Sequence, residues 1–285
     1  MTVINTNANA TITANALSRN ERAMSQSMER LSTGMRINSA ADDAAGLAIS
    51  SKLTSQINGL NQASRNANDA SSMIQTADGA AIEIDNMLQR MRELSVQSAN
   101  GTNTTEDIAN LDIEFLALAT EIDRIVDATE WNGMTILDGA SGSSGEFTFQ
   151  IGANDSQTLT VDFSDFNLAA GASGTPMASD LSGAATTVPT ITTSTANIID
   201  TLDNAIAGVA SQRATFGAAI NRLAYTVDNL ANVSQNTSSS RSQIQDANYA
   251  SETTELARTQ IIQQAGTAML SQANQQAQSV LALLK

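Results

Sequence analysis

Cysteine and histidine are both missing from this 285-residue chain. Their absence removes thiol nucleophiles, imidazole bases and every His/Cys metal site before any motif is sought. A cysteine-free chain fits the cytoplasm and the exterior equally well, so disulfides do not report the compartment. Aromatic residues make up only 3% of the chain, and alanine dominates the apolar 41%. Such a composition favours thin helix-on-helix packing over a thick globular core. Basic residues are few, 14 against 29 acidic, giving a formal charge of −15. That surface repels phosphate backbones and anionic lipid, which argues against nucleic-acid and membrane partners. Met1 to Asn20 lack a basic run followed by a continuous apolar stretch, so neither a cleavable signal peptide nor a transmembrane helix is expected. Export of such a chain requires a route that reads something else.

Proline is nearly absent as well. Its two occurrences, Pro176 and Pro189, fall in one Gly/Ser/Thr-rich stretch. The chain therefore reads as long helices, an irregular insert, then long helices again. Apolar or small residues recur at alternating spacings of four and three from Ile49 through Leu53, Gln56, Leu60, Ala63, Ala67, Ala70, Ile74, Ala77, Ala81, Ile84, Leu88 and Met91. A heptad pattern held for about six repeats is a coiled-coil signal. Helical over Ile49 to Ser98, the segment spans roughly 75 Å. Ser39 and Asp42 stand at capping-box spacing ahead of it.

A second seam runs through Ile108, Leu111, Phe115, Leu118, Ile122 and Ile125, after the turn composition Asn100-Gly101-Thr102-Asn103. The two helices are expected to be antiparallel. A third runs through Ile199, Leu202, Ile206, Val209, Arg213, Phe216, Ile220, Leu223, Val227 and Leu230. Between them, Asn132-Gly133 signals a hairpin turn, and Phe147/Phe149/Ile151 with Leu159/Val161/Phe163 alternate as a second hairpin. Residues 164 to 195 read as a small polar surface loop.

The ends are different again. Ala10, Ala14, Leu17, Met24, Met28, Leu31 and Met35 keep heptad spacing, interrupted at Glu21. The last 35 residues carry two adjacent stripes, Ile262/Met269/Ala273/Ala277/Val280/Leu284 and Ala257/Ile261/Ala265/Ala268, and the apolar character continues to Leu281, Leu283 and Leu284. A helix with two apolar stripes needs more than one neighbour, and one N-terminal partner covers only one of them. The termini are expected to pair with each other and with other copies, ordering on assembly.

Ser27-Met28-Glu29-Arg30-Leu31-Ser32-Thr33-Gly34 and Ile37-Asn38-Ser39-Ala40-Ala41-Asp42-Asp43-Ala44-Ala45-Gly46-Leu47-Ala48-Ile49-Ser50 resemble the N-terminal signature of the bacterial flagellin family. Leu88-Gln89-Arg90-Met91-Arg92-Glu93-Leu94-Ser95-Val96-Gln97 resembles its mid-helix motif, and Gln150-Ile151-Gly152-Ala153-Asn154-Asp155 its strand motif. Gln263-Gln264-Ala265-Gly266-Thr267 and Val280-Leu281-Ala282-Leu283-Leu284 resemble its C-terminal pattern. The resemblance covers about residues 1 to 155 and 196 to 285.

It implies a mainly α fold, an elongated coiled-coil or helical-bundle hairpin with a small β-rich insert. Three domains follow by analogy: residues 1–40 plus 245–285 as an inner terminal coiled coil, 41–140 plus 196–244 as a helical outer domain, and 141–195 as a short variable exposed insert. The implied function is a structural, non-enzymatic subunit, without cofactor or metal, that polymerises into the flagellar filament for swimming. The implied partners are other copies in a helical homopolymer, the flagellar export apparatus and a secretion chaperone, the filament cap and junction proteins, and a vertebrate Toll-like receptor. The implied location is the secreted bacterial flagellum. Leu17, Met24, Met28, Leu31, Met35, Ile261, Ile262, Met269, Val280, Leu281, Leu283 and Leu284 become subunit-interface residues, and Gln89, Arg90, Leu94 and Glu114 receptor contacts.

Plainer readings stand beside these. Arg90 and Glu114 also fit an ordinary solvated helix pair. Asp42 and Asp43 suit a helix N-terminus better than a metal. Glu121 and Asp123 have no catalytic context. The Asn-X-Ser/Thr matches at Asn9, Asn103, Asn154, Asn232 and Asn236 are expected by chance, and Ser179 to Thr195 is either an O-glycosylation surface or a polar loop. The rivals are a hook–filament junction protein and an unrelated extracellular coiled-coil binding module whose activity resides in residues 141–195.

Overall fold

The computed structural model describes residues 7–139, 142, 145–163, 166 and 195–282. Five helices carry it: α1 (Ala8–Thr33), α2 (Ala44–Ser98), α3 (Thr105–Ala128), α4 (Thr195–Gln245) and α5 (Tyr249–Ala282). Between α3 and α4 lie two antiparallel hairpins, β1 (Glu130–Trp131) with β2 (Met134–Thr135) and β3 (Glu146–Gln150) with β4 (Thr158–Asp162). The protein is mainly α with a small β insert, as its periodicity implies. It divides into two compact units, one of Met1–Ile57 with Gln235–Lys285 and one of Asn58–Ser234.

The second unit holds the main core. From Leu60 to Met91 every predicted seam position of α2 is buried. Phe115 and Ile122 of α3 and Leu202, Val209, Phe216 and Leu223 of α4 close on it. Three cross-links give the α2/α4 direction: Arg92 to Asp203, Arg213 to Asp78, and Ser234 to Asn61. As numbers fall in α2 they rise in α4, so the helices are antiparallel. The Arg90–Glu114 pair, spanning the short turn between Ser98 and Thr105, makes α2 and α3 antiparallel as well. The turn between these two is closed by Asn103, whose amide donates to the Gln97 carbonyl at 2.6 Å. Thr104 then starts α3 with a capping box to Asp107.

Both hairpins form where alternation places them. Asn132 and Gly133 take φ of 52° and 77°, the left-handed pair of a type I′ turn. β3 and β4 pair from Glu146–Asp162 to Gln150–Thr158. Their inner face docks through aromatic rings: Phe147 and Phe163 meet edge-on at 5.0 Å, and Phe163 lies 5.2 Å from Phe216 of α4. The Gln212 amide donates to the Asp162 carbonyl beside them.

Three expectations are corrected. Ile49 is half exposed, so the buried seam starts later than the pattern suggests. Ser39 does not cap α2. Its hydroxyl and backbone N–H both donate to the Asp42 carboxylate in a preceding turn, and Asp43 caps the helix by accepting from the Gly46 N–H at 2.8 Å. Within the stretch read as surface loop, Phe166 is buried, its N–H bonded to the Leu137 carbonyl. The rest of that stretch up to Ser194, including the Ser/Thr cluster from Ser179, lies outside the described residues.

Candidate self-assembly surface

The first unit is built on the antiparallel pair of α1 and α5. Asn7 caps α1 by accepting from the Ala10 N–H at 3.1 Å. Gly34 ends it in the left-handed conformation, its N–H bonded to Arg30. The chain then makes a short bridge to the α4–α5 connection. The Arg36 N–H donates to Gln245, the Ala247 N–H to Gly34, and the Arg36 guanidinium to the Ile244 carbonyl. The Gln26 amide of α1 and the N–H groups of Ser39 and Asn38 converge on Asp42. The Ser39 and Asn38 N–H groups, then the Ser39 hydroxyl and Gln26, hold that carboxyl below its ordinary range.

Along α1 and α5 the register is set by polar atoms. The Asn7 amide donates to Ala273, the Asn20 amide to Thr259 at 2.7 Å, Arg30 pairs with Glu252 at 3.1 Å, and the Tyr249 hydroxyl donates to Leu31. The buried side chains of the pair are Asn20, Ser27 and Thr259. A Cβ added at Gly266 lies 3.3 Å from the Leu17 methyl, so the close approach uses glycine. The face of α5 turned to α1 runs through Glu252, Leu256, Thr259, Gln263, Gly266, Leu270 and Ala273. It is mostly small or polar.

This corrects the expectation that the N-terminal helix covers one of the two α5 stripes. Among the described side chains it covers neither, apart from Ala273. Ile261 is 66% exposed, Met269 63% and Ile262 40%, joined on α1 by Ile12 at 67% and Met28 at 54%. Leu17, Met24, Leu31 and Met35 are half-buried. Val280 and Leu281 fall where only helical backbone is described, and Leu283 and Leu284 lie outside the described residues. The pairing residues Asn20, Ser27, Thr259 and Gly266 escape a search for apolar stripes. Their signal is a repeat of small residues at helical spacing.

The other predicted cluster is placed in the second unit. Arg90 Nε donates to Glu114 and its Nη1 to Glu93, both at 2.9 Å, and Gln89 bonds to Asp85. The hydrogen bond to Glu114, then that to Glu93, raises the Arg90 pKa. Gln89, Arg90 and Glu114 are exposed, whereas Leu94 is 1% exposed and belongs to the core. Among the described residues no group of acidic side chains could hold a metal, and no helix is long and apolar enough to cross a membrane.

The helical ends decide the family. Residues 4–141 match the bacterial flagellin N-terminal helical region, and residues 199–284 the bacterial flagellin C-terminal helical region. The chain belongs to the bacterial flagellin family. It is 45% identical to a flagellin of Halalkalibacterium halodurans over 91% of each chain. It is 42% identical to a flagellar filament 33 kDa core protein of Treponema phagedenis, over 99% of this chain and 100% of that one. A flagellar hook-associated protein of Vibrio parahaemolyticus shares the fold alone, with a TM-score of 0.57 at 14% identity over 72% of this chain and all of that one. As a flagellin the chain is a structural subunit of the bacterial flagellar filament, and the alternative of a junction protein gains no support.

Proposed function

We propose that the exposed residues of α1 and α5 are the contacts through which this flagellin polymerises into a helical homopolymer for swimming. The observation that carries this reading is the packing of the terminal pair: its buried positions are Asn20, Ser27 and Thr259, with Leu17, Leu256 and Leu270 half-buried beside them, while Ile12, Met28, Ile261, Ile262 and Met269 face out. Burying each such side chain against another copy is worth about 1.5–3 kcal/mol. Several together offset the loss of translational freedom on joining a filament. Residues 1–40 with 245–285 act as the inner assembly domain, 41–140 with 196–244 as the outer helical domain, and 141–195 as the exposed insert. Val280, Leu281, Leu283 and Leu284 extend the same contact.

The subunit acts without catalysis. It reaches the exterior through the flagellar export apparatus, attended by a secretion chaperone, and is placed between the junction and cap proteins. Removing residues 1–40 or 245–285 is expected to abolish filaments in electron micrographs while circular dichroism still reports a helical core. A truncated chain that grows normal filaments would overturn the reading.

A second role rests on the exposed Arg90–Glu114 pair with Gln89 beside it. These groups form the contact for a vertebrate Toll-like receptor, with Leu94 fixing the helix behind them. A receptor reporter assay on purified monomer is expected to respond, and to lose most of that response on Arg90→Ala. A silent wild-type monomer would remove this role.

A further inference from the structure

Ten methionines and no cysteine make the thioether the only sulfur this chain presents to an oxidant. The fold sorts the described ones sharply. Met73 and Met91 are sealed in the core of the second unit. Met24, Met35 and Met87 are half-buried, and the Met35 sulfur also accepts the Gln245 amide at 3.0 Å. Met28, Met134 and Met269 are exposed. Met134 belongs to the β1–β2 hairpin. Met28 and Met269 lie on the terminal helices among the outward apolar residues. Asn7 faces Ala273 and Asn20 faces Thr259, a register that sets Ile12 at the level of Met269, with Ile262 two turns away on the same helix.

We propose that Met28 and Met269 are oxidation sites at which a peroxide turns an assembly-competent subunit into one that cannot join a filament. The proposal rests on the assembly surface assigned above. The chemistry needs only hydrogen peroxide. The sulfur lone pair attacks an oxygen of the O–O bond, an S–O bond forms and the O–O bond breaks. Sulfur is oxidised by two electrons, and the departing hydroxide takes the proton from the transferred oxygen and leaves as water. A flexible apolar side chain thereby becomes a polar sulfoxide with a strong acceptor oxygen. When a neighbouring copy covers these positions and excludes water, that oxygen loses its hydration on a surface that offers the exposed side chains Ile12, Ile261 and Ile262, so burial carries a desolvation cost. In the free monomer it remains hydrated, and the fold tolerates it. The polymer protects the same two sulfurs by covering them, so oxidation acts on subunits that have not yet assembled.

The test treats intact monomer with hydrogen peroxide and maps sulfoxides by peptide mass spectrometry. Growth is then followed on untreated filament fragments by light scattering and electron microscopy. Met28 and Met269 are expected to oxidise about ten-fold faster than Met73 and Met91, with seeded growth falling in step. Methionine sulfoxide reductase is expected to restore growth as sulfoxide disappears from these two positions. In the double variant Met28→Leu/Met269→Leu, the ratio of treated to untreated growth is expected to stay near one, whatever its untreated rate. Met134→Leu is expected to leave the sensitivity in place. Protein oxidised at both positions that still elongates like untreated monomer overturns the proposal while leaving the assembly surface standing. So does a double variant that remains peroxide-sensitive. Should that variant not grow at all, the reductase experiment decides, recovery supporting the proposal and its absence overturning it. Untreated wild-type monomer that never extends a seed refutes the assembly surface itself.

Discussion

The second unit of this flagellin and the α1–α5 pair of the first are packed by different rules. In the second unit the buried positions are held by large apolar side chains such as Phe115, Phe163, Phe216, Ile74 and Leu88, with alanines between them. In the α1–α5 pair the buried positions are Asn20, Ser27 and Thr259, the leucines Leu17, Leu256 and Leu270 are only half-buried, and Ile12, Met28, Ile261, Ile262 and Met269 look outward. The first arrangement removes its oily surface from water within one chain, so its stability is set before any partner arrives. In the proposed assembly the second uses its directional hydrogen bonds for register and leaves the non-directional driving force for other copies, which makes its stability a matter of concentration.

The contrast can be attacked from either side. Ile261→Asp with Ile262→Asp should have the largest effect, reducing seeded growth below detection in light scattering because two charges would be buried without partners. The same variant should melt within about 0.5 kcal/mol of the parent, as surface changes do. A large loss of monomer stability would erase the distinction. Phe216→Ala should do the reverse, costing the second unit about 3–5 kcal/mol in denaturant titrations. Gly46→Ala probes the start of α2. A Cβ there meets the Asp43 carboxylate at 2.5 Å and the Ile37 methyl at 2.6 Å. Crowding of this kind costs about 1–3 kcal/mol, read as a shift in thermal melting.

Asp42→Asn should have the smallest and most conditional effect. The folded carboxyl titrates below its ordinary 3.8. Its contribution is therefore complete above that value and is lost as pH falls through the lower folded one. The stability gap between parent and variant should be steady near neutrality and close in strong acid. A gap that widens on acidification would refute the assignment.

Much of the core was legible because one rule governs it. From Leu60 to Met91 the spacing of apolar and alanine residues matches the buried face of α2, and the Asn132-Gly133 turn needed only its two residues to be recognised. The rule failed where burial is not apolar. Gln212 is buried against the β4 carbonyl, and Ser95 is buried by bonding back to Met91. Neither carries a hydrophobic signal. Leu94, picked out for a surface role, sits one residue before that serine on the inward side of α2. On α5 apolar residues appear on several faces, so periodicity alone could not choose the one that meets α1. The choice was made by size, through Thr259 and Gly266, and by what Asn20 could reach.

The polar clasps along α1 and α5 join residues that are 239 and 266 positions apart. Contacts this distant in sequence are the slowest kind to find, because nearly the whole polypeptide must be gathered before they repay the entropy of closing so large a ring. α1 must wait for α5, which follows it along the chain by more than two hundred residues. A chain in which only one of the two is available thus cannot complete the proposed assembly surface.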